Sequence, residues 1–165
     1  MTRFSPLIAV ATAFIAWSSG QMAAAHDGIR IEAPYARVVA ASAKSGAVYM
    51  TLTNHSKNAD RLVSVRTDAA ERADLHSNSQ DANGVMRMVK MDGGLPLKAM
   101  ATRTLDRAGD HIMLFGLTRA INPGDVLTLT LTFESAGEMT IEVPVENDRA
   151  PAAMDHSGHT MPATE

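Results

Sequence analysis

The sequence predicts an all-β domain, an antiparallel sandwich or barrel. Three observations predict it. Apolar residues come in short runs that alternate with polar ones at period two. Clusters of Gly, Pro, Asn and Asp separate those runs, and no segment sustains a long helical period.

Ahead of the domain, Met1-Thr2-Arg3 brings one positive charge, and Leu7 to Trp17 is apolar except for Thr12. Ala23-Ala24-Ala25 closes the stretch with small residues. Charge, short apolar core and an Ala-x-Ala end form a secretory signal peptide over 1–25, with cleavage after Ala25. The run is shorter than the roughly 20 apolar residues a membrane-spanning helix needs. The product is expected outside the cytoplasm, as one domain over 26–146 followed by a flexible tail over 147–165.

Within the domain, Ile29-Arg30-Ile31 alternates and is interrupted by Pro34. Gly46 to Thr53 is β-rich and ends at Asn54-His55-Ser56, a turn or bulge. Arg61 to Arg66 sets Leu62, Val63 and Val65 among polar residues, and Asp68 to Asp74 leaves room for one helical turn. Asp81-Ala82-Asn83-Gly84 is a hairpin turn, because Asn-Gly supplies the positive-φ residues such turns require. A strand follows over Val85 to Met91, then a turn at Gly93-Gly94. His111 to Leu117 is strongly apolar. Asn122-Pro123-Gly124-Asp125 turns the chain into Val126 to Phe133, whose Leu face should point inward and whose Thr face outward. Glu138 to Val145 completes the strands.

Composition removes several function classes. Without residues 1–25 the chain keeps 140 residues at a formal charge of −4, which disfavours nucleic acid, whose phosphates call for a basic face. The absence of cysteine excludes thiol redox chemistry, cysteine nucleophiles and blue-copper electron transfer. Asp106, Asp110 and Asp125 lie near turns, where aspartates commonly cap backbone N–H groups. No nucleophile signature, phosphate loop or zinc-protease helix occurs, so nothing in the motifs points to an enzyme.

What remains is a concentration of histidine and methionine. In His111-Ile112-Met113 the first and third residues share one strand face, which sets an imidazole beside a thioether. Taken alone, that pair is also what a core methionine and a strand-edge histidine would give. Met86-Arg87-Met88 follows the Asn-Gly turn and His76 precedes it, so a hairpin would let His76 face a methionine. Packing is again the plain alternative, since methionine fills gaps in cores. His55, in a turn, is expected to be solvated. His26, if cleavage after Ala25 makes it the N-terminus, offers an amine and an imidazole to a metal ion.

The order Leu75-His76, Gly84-Val85-Met86-Arg87-Met88 and Gly109-Asp110-His111-Ile112-Met113-Leu114 resembles the periplasmic copper chaperones of the PCu(A)C type. Pro34-Tyr35-Ala36-Arg37, where that family tends to have Pro-Trp-Ala-Arg, and the Gly124-Asp125 turn extend the likeness from about Ile29 to Val145. The resemblance implies a cupredoxin-like Greek-key β-sandwich or barrel. It also implies Cu(I) held by His76, Met88, His111 and Met113, with Met86 the competitor of Met88. Two departures stand out. Ser77 occupies a position where many members carry a second methionine, and 22 residues separate Met88 from His111, one more than usual, with Gly93-Gly94 a place for the extra one. The acceptor implied is the copper subunit of a haem-copper oxidase or a Sco-type assembly protein, and the compartment implied is the periplasm.

The chemistry agrees without the family. Thioethers are soft and uncharged and favour Cu(I), and imidazole suits copper as well. Zinc and calcium fit less well, because zinc sites favour thiolate, imidazole and carboxylate, and calcium takes oxygen ligands. A second candidate is the tail, where Met154, His156, His159 and Met161 fall within eight residues and could serve as an auxiliary copper site, including for Cu(II). The same residues would suit copper buffering. A non-metal adhesion or ligand-binding sandwich would call for exposed aromatics, and few are present.

Overall fold

The structure, a computed structural model, describes residues 28–80 and 83–149. The expected signal segment and the tail from residue 150 onward lie outside that range. The described residues form ten strands and no helix: β1 (Ile29–Arg37), β2 (Ser45–Asn54), β3 (Asp60–Thr67), β4 (Ala70–Gln80), β5 (Met86–Lys90), β6 (Leu95–Leu97), β7 (Ala101–Leu105), β8 (Asp110–Leu117), β9 (Val126–Phe133) and β10 (Gly137–Pro144).

Two antiparallel sheets make the sandwich. The larger runs β1-β2-β8-β4-β5, with β7 also paired to β2, and the smaller runs β10-β9-β3-β6. β2 divides one edge between two partners: Ala47 and Val48 pair with Met113 and Ile112 of β8, and Met50 to Asn54 pair with β7. This split leaves β8 in the interior of the larger sheet, between β2 and β4.

The period-two pattern builds the core. In β9, Leu127, Leu129, Leu131 and Phe133 are buried, and the Thr side chains face outward as expected. Leu52, Leu62, Leu95, Ile112 and Leu114 meet them from the other strands and are fully buried. Each such side chain contributes on the order of 1.5–3 kcal/mol of apolar burial. Because Ile112 and Leu114 point into the core, His111, Met113 and Phe115 of the same strand point out of it.

Three local expectations need revision. Residues 68–74 hold no helical turn, because the chain enters β4 at Ala70, where Ala70 and Arg72 pair with Leu117 and Phe115 of β8. Pro34 does not end the first strand. Its register shifts between Glu32 and Tyr35, Ala33 adopts φ 48°, and pairing resumes at Tyr35. Such a bulge accommodates the missing N–H of proline. The short strands β6 and β7 stand where the sequence shows no alternating run.

After β10 the chain stays on the domain. Val145 forms a parallel bridge with Ala36, and the Glu146 N–H donates to the Ala36 carbonyl at 2.9 Å. Asn147 then clamps Val38, accepting its N–H at 2.9 Å through Oδ1 and donating to its carbonyl at 2.7 Å through Nδ2.

Candidate metal centre

The register of the larger sheet places all four expected ligands on its outer face. His76 of β4 lies directly opposite His111 of β8, and Asp74 opposite Met113. Directly opposed residues on antiparallel strands share a face. On the other side of β4, His76 pairs with Lys90 and Asn78 with Met88. The expectation that a methionine faces His76 across the hairpin is therefore corrected: Lys90 holds that position. Met88 sits one pleat away on the same face, and Met86, opposite Gln80, two pleats away. Met88 is thus the nearer of the two competitors.

His76, His111 and Met113 occupy neighbouring positions on two paired strands, and Met88 stands apart from them on the edge strand. The imidazole centroids of His76 and His111 are 6.0 Å apart. His111 is only 4% exposed and Met113 is half-buried, whereas Met88 is 52% exposed. A core methionine and an edge histidine do not describe this pair. Met113 is outside the core and His111 is in an interior strand.

Each imidazole is prepared differently. The Nδ1 of His111 lies 3.2 Å from the Gly109 carbonyl oxygen. A carbonyl only accepts, so this nitrogen carries the proton and a neutral ring keeps its lone pair on Nε2. The Nδ1 of His76 is buried and has no hydrogen-bond partner among the described residues. A buried polar atom without a partner is costly and uncommon in a protein interior. Burial first, and the neighbouring His111 second, push the His76 ring below the ordinary histidine pKa, which favours the unprotonated form a metal requires.

The surroundings supply walls and no charge-bearing ligand. His76 packs on Phe115 with centroids 5.7 Å apart, and the Arg72 guanidinium lies over the same ring at 4.6 Å. On the other side Tyr49 lies 6.4 Å from His111, and Tyr35 lies 5.1 Å from Tyr49. Burial raises the pKa of the Tyr49 phenol and keeps it neutral. Asp74, the carboxylate next to the imidazole pair on β4, is committed to Arg72 at 2.7 Å and Lys90 at 3.4 Å. Among the described residues no three His, Cys, Asp or Glu side chains gather as metal ligands. Two imidazoles with thioethers would suit a soft monovalent ion better than zinc or calcium.

The remaining sequence candidates fall elsewhere. His55 is exposed in the turn after β2, where its N–H donates to the Gly28 carbonyl at 2.5 Å. His26, Met154, His156, His159 and Met161 lie outside the described residues. Asp106 caps the N–H groups of Ala108 and Gly109, and Asp125 accepts from Asn122, as turn aspartates do. Asp110 does not cap a turn: its buried carboxylate pairs with Arg103, whose Nε donates at 2.6 Å. Sequence reasoning missed the ring row of Tyr35, Tyr49 and Phe115, which only the cross-strand register assembles.

A family model described as "Putative lipoprotein LpqE-like" matches residues 29–145. The "Putative lipoprotein Lxx21020" of Leifsonia xyli subsp. xyli is 27% identical over 121 residues, which cover 73% of this chain and 71% of the relative. Among solved structures, the copper-bound PCuAC domain from PmoF2 is 27% identical at a TM-score of 0.63, covering 74% of this chain and 95% of that one. The solution structure of CuI-DR1885 from Deinococcus radiodurans is 31% identical at a TM-score of 0.55, covering 72% and 79%. The sandwich has the cupredoxin-like fold of these PCuAC domains.

Proposed function

We propose that this chain, which belongs to the LpqE-like family, is an exported carrier that binds Cu(I) through His76, Met88, His111 and Met113 and passes it to a copper-accepting protein. The observation that carries this reading is the His76–His111 pair. Two imidazoles oppose each other on adjacent strands, one oriented by Gly109 and one with a buried nitrogen that has no partner among the described residues. The likeness to a copper-bound PCuAC domain and to CuI-DR1885 supports copper as the cargo.

The residues suit carriage rather than reaction. Neutral imidazole and thioether hold Cu(I) without the anionic thiolates that would retain it very tightly. Met88 is the exposed member, so it is the ligand an incoming donor displaces first. Transfer then proceeds by exchange of one neutral ligand for another, with copper remaining Cu(I) throughout. Methionine also persists in an oxidising compartment where paired cysteines would form disulfides. The acceptor that fits is the copper subunit of a haem-copper oxidase or a Sco-type assembly protein in the periplasm.

The test is an anaerobic Cu(I) titration of the full chain against a colorimetric chelator, alongside the variant H76A/M88A/H111A/M113A. Tight binding lost in the variant supports the reading. Tight binding left untouched by the four changes contradicts it.

A further inference from the structure

On β4 and β8, His76 opposes His111 and Asp74 opposes Met113, so these four residues stand as a two-by-two array on one face of the larger sheet. Three corners are imidazole, imidazole and thioether. The fourth is a carboxylate, whereas Met88 stands on the next strand. Two imidazoles with a carboxylate are donors that sites for zinc and other divalent metals favour. A free Asp74 would therefore offer a hard, anionic ligand where a Cu(I) carrier needs soft, neutral ones.

Asp74 is held from two sides. Its Oδ2 lies 2.7 Å from Arg72 Nε and its Oδ1 lies 3.4 Å from Lys90 Nζ, and its side chain is only 11% exposed. Arg72 opposes Phe115 on the same face, and Lys90 is directly opposite His76. The Arg72 guanidinium is fixed 4.6 Å over the Phe115 ring, on which His76 also packs, and Lys90 Nζ is shared with Asp92 at 3.4 Å. Burial and His111 lower the His76 pKa most; after them Asp74 raises it and Lys90 and Arg72 lower it, so all three charges reach the ring. Exposed ion pairs contribute little to stability, and Arg72 and Lys90 are both exposed. The consequence of this clamp falls on the metal.

At a given distance a divalent ion is attracted by a carboxylate, and repelled by an ammonium or guanidinium, twice as strongly as a monovalent one. Asp74, Arg72 and Lys90 together carry a net positive charge, so the closed clamp disfavours a divalent ion more than Cu(I). Opened, it would release a negative charge and an oxygen donor beside the imidazoles. Cu(I), a soft ion, gains little from that oxygen.

We propose that Arg72 and Lys90 are specificity-determining residues that withhold Asp74 from the His76/His111 pair, so that the site takes Cu(I) and rejects Zn(II). The inference rests on the proposed function of that site.

The experiment is a pair of chelator competitions on the full chain, one with Zn(II) and one with Cu(I) under anaerobic conditions, comparing the unmodified protein with R72Q/K90Q. The remaining histidines are common to both proteins and cancel in the comparison. Zn(II) affinity is expected to rise at least about tenfold in the variant, the scale on which outer-shell partners act at metal sites. Cu(I) affinity should stay within about threefold, since a soft ion gains little from the freed oxygen. Adding D74N or H76A to the variant should return Zn(II) affinity to that of the unmodified chain, because the gain needs both the freed carboxylate and the imidazole. K90Q alone leaves the Arg72–Phe115 stack intact and should show a smaller gain of the same sign. Unchanged Zn(II) affinity in R72Q/K90Q, or a gain that survives D74N or H76A, would overturn the proposal. The Cu(I) arm keeps the two readings apart: tight Cu(I) binding by the unmodified chain, lost in H76A/M88A/H111A/M113A, leaves the carrier standing even where the Zn(II) arm removes the clamp.

Discussion

His76 and His111 face each other across the β4–β8 ladder with ring centroids 6.0 Å apart, and their nitrogens differ in preparation. Gly109 holds one ring in place, and the other keeps a buried nitrogen without a partner among the described residues. Removing either ring should therefore cost more copper affinity than removing any other histidine of the described residues. His76→Ala and His111→Ala are each expected to weaken Cu(I) binding at least about tenfold, since outer-shell changes alone cost 10–100-fold at metal sites. His55→Ala, in its exposed turn, should leave the affinity unchanged. Chelator competition measures all three.

Thioether chemistry and methionine packing can be separated by leucine, which preserves volume. Met113→Leu should keep stability within about 1.5 kcal/mol. It should also lower Cu(I) affinity at least about tenfold, because leucine has no donor atom. Met139→Leu, deep in the core at 1% exposure, should leave Cu(I) affinity unchanged. Urea unfolding and Cu(I) competition on the same samples check both statements.

The two-sheet core was legible because alternation shows directly which residues point inward. Leu127, Leu129, Leu131 and Phe133 are buried as their spacing implies. β4 was not legible at its start, because Ala69 to Asp74 is rich in good helix formers, and pairing with β8 outweighs that preference. The three-residue β6 and five-residue β7 are too short to show a period. His111 and Met113 could be placed on one face from their spacing alone, whereas the register of β5 against β4 cannot be read from spacing within either strand. A one-residue slip of that pairing would exchange the faces of Met88 and Val89. The Asn147 clamp on Val38 was invisible, since its contacts join residues more than a hundred positions apart.

Acid should destabilise the metal-free fold through His76. Its pKa in the folded chain is lowered from 6.5, by burial first and by His111 second. Between the unfolded value and the lowered folded value, the unfolded chain binds more protons, so stability rises with pH. The contribution is fully present above about pH 6.5 and is lost as pH falls towards the folded value. Urea midpoints measured from pH 7.5 down to pH 5 should decline, and His76→Gln should flatten that decline.

Gly94 closes the turn between β5 and β6 with φ +72°, and a Cβ there would lie 2.5 Å from the Leu62 carbonyl oxygen. Backbone cannot yield as a flexible side chain does. Gly94→Ala should destabilise the fold by about 1–3 kcal/mol. Gly124→Ala, at φ +90° with no neighbouring atom within 4 Å, should cost less, since conformational strain acts there without a clash. Thermal unfolding of the two variants gives the ranking.

The most direct measurement is NMR of methionine methyl groups and histidine rings in the full chain as one equivalent of Cu(I) is added under anaerobic, reducing conditions. The predicted result is that the Met88 and Met113 methyls and the His76 and His111 rings shift, while the methyls of the core residues Met50 and Met139 stay where they are. Unmoved signals from His76, His111 and Met113, with copper bound elsewhere in the chain, would contradict the site.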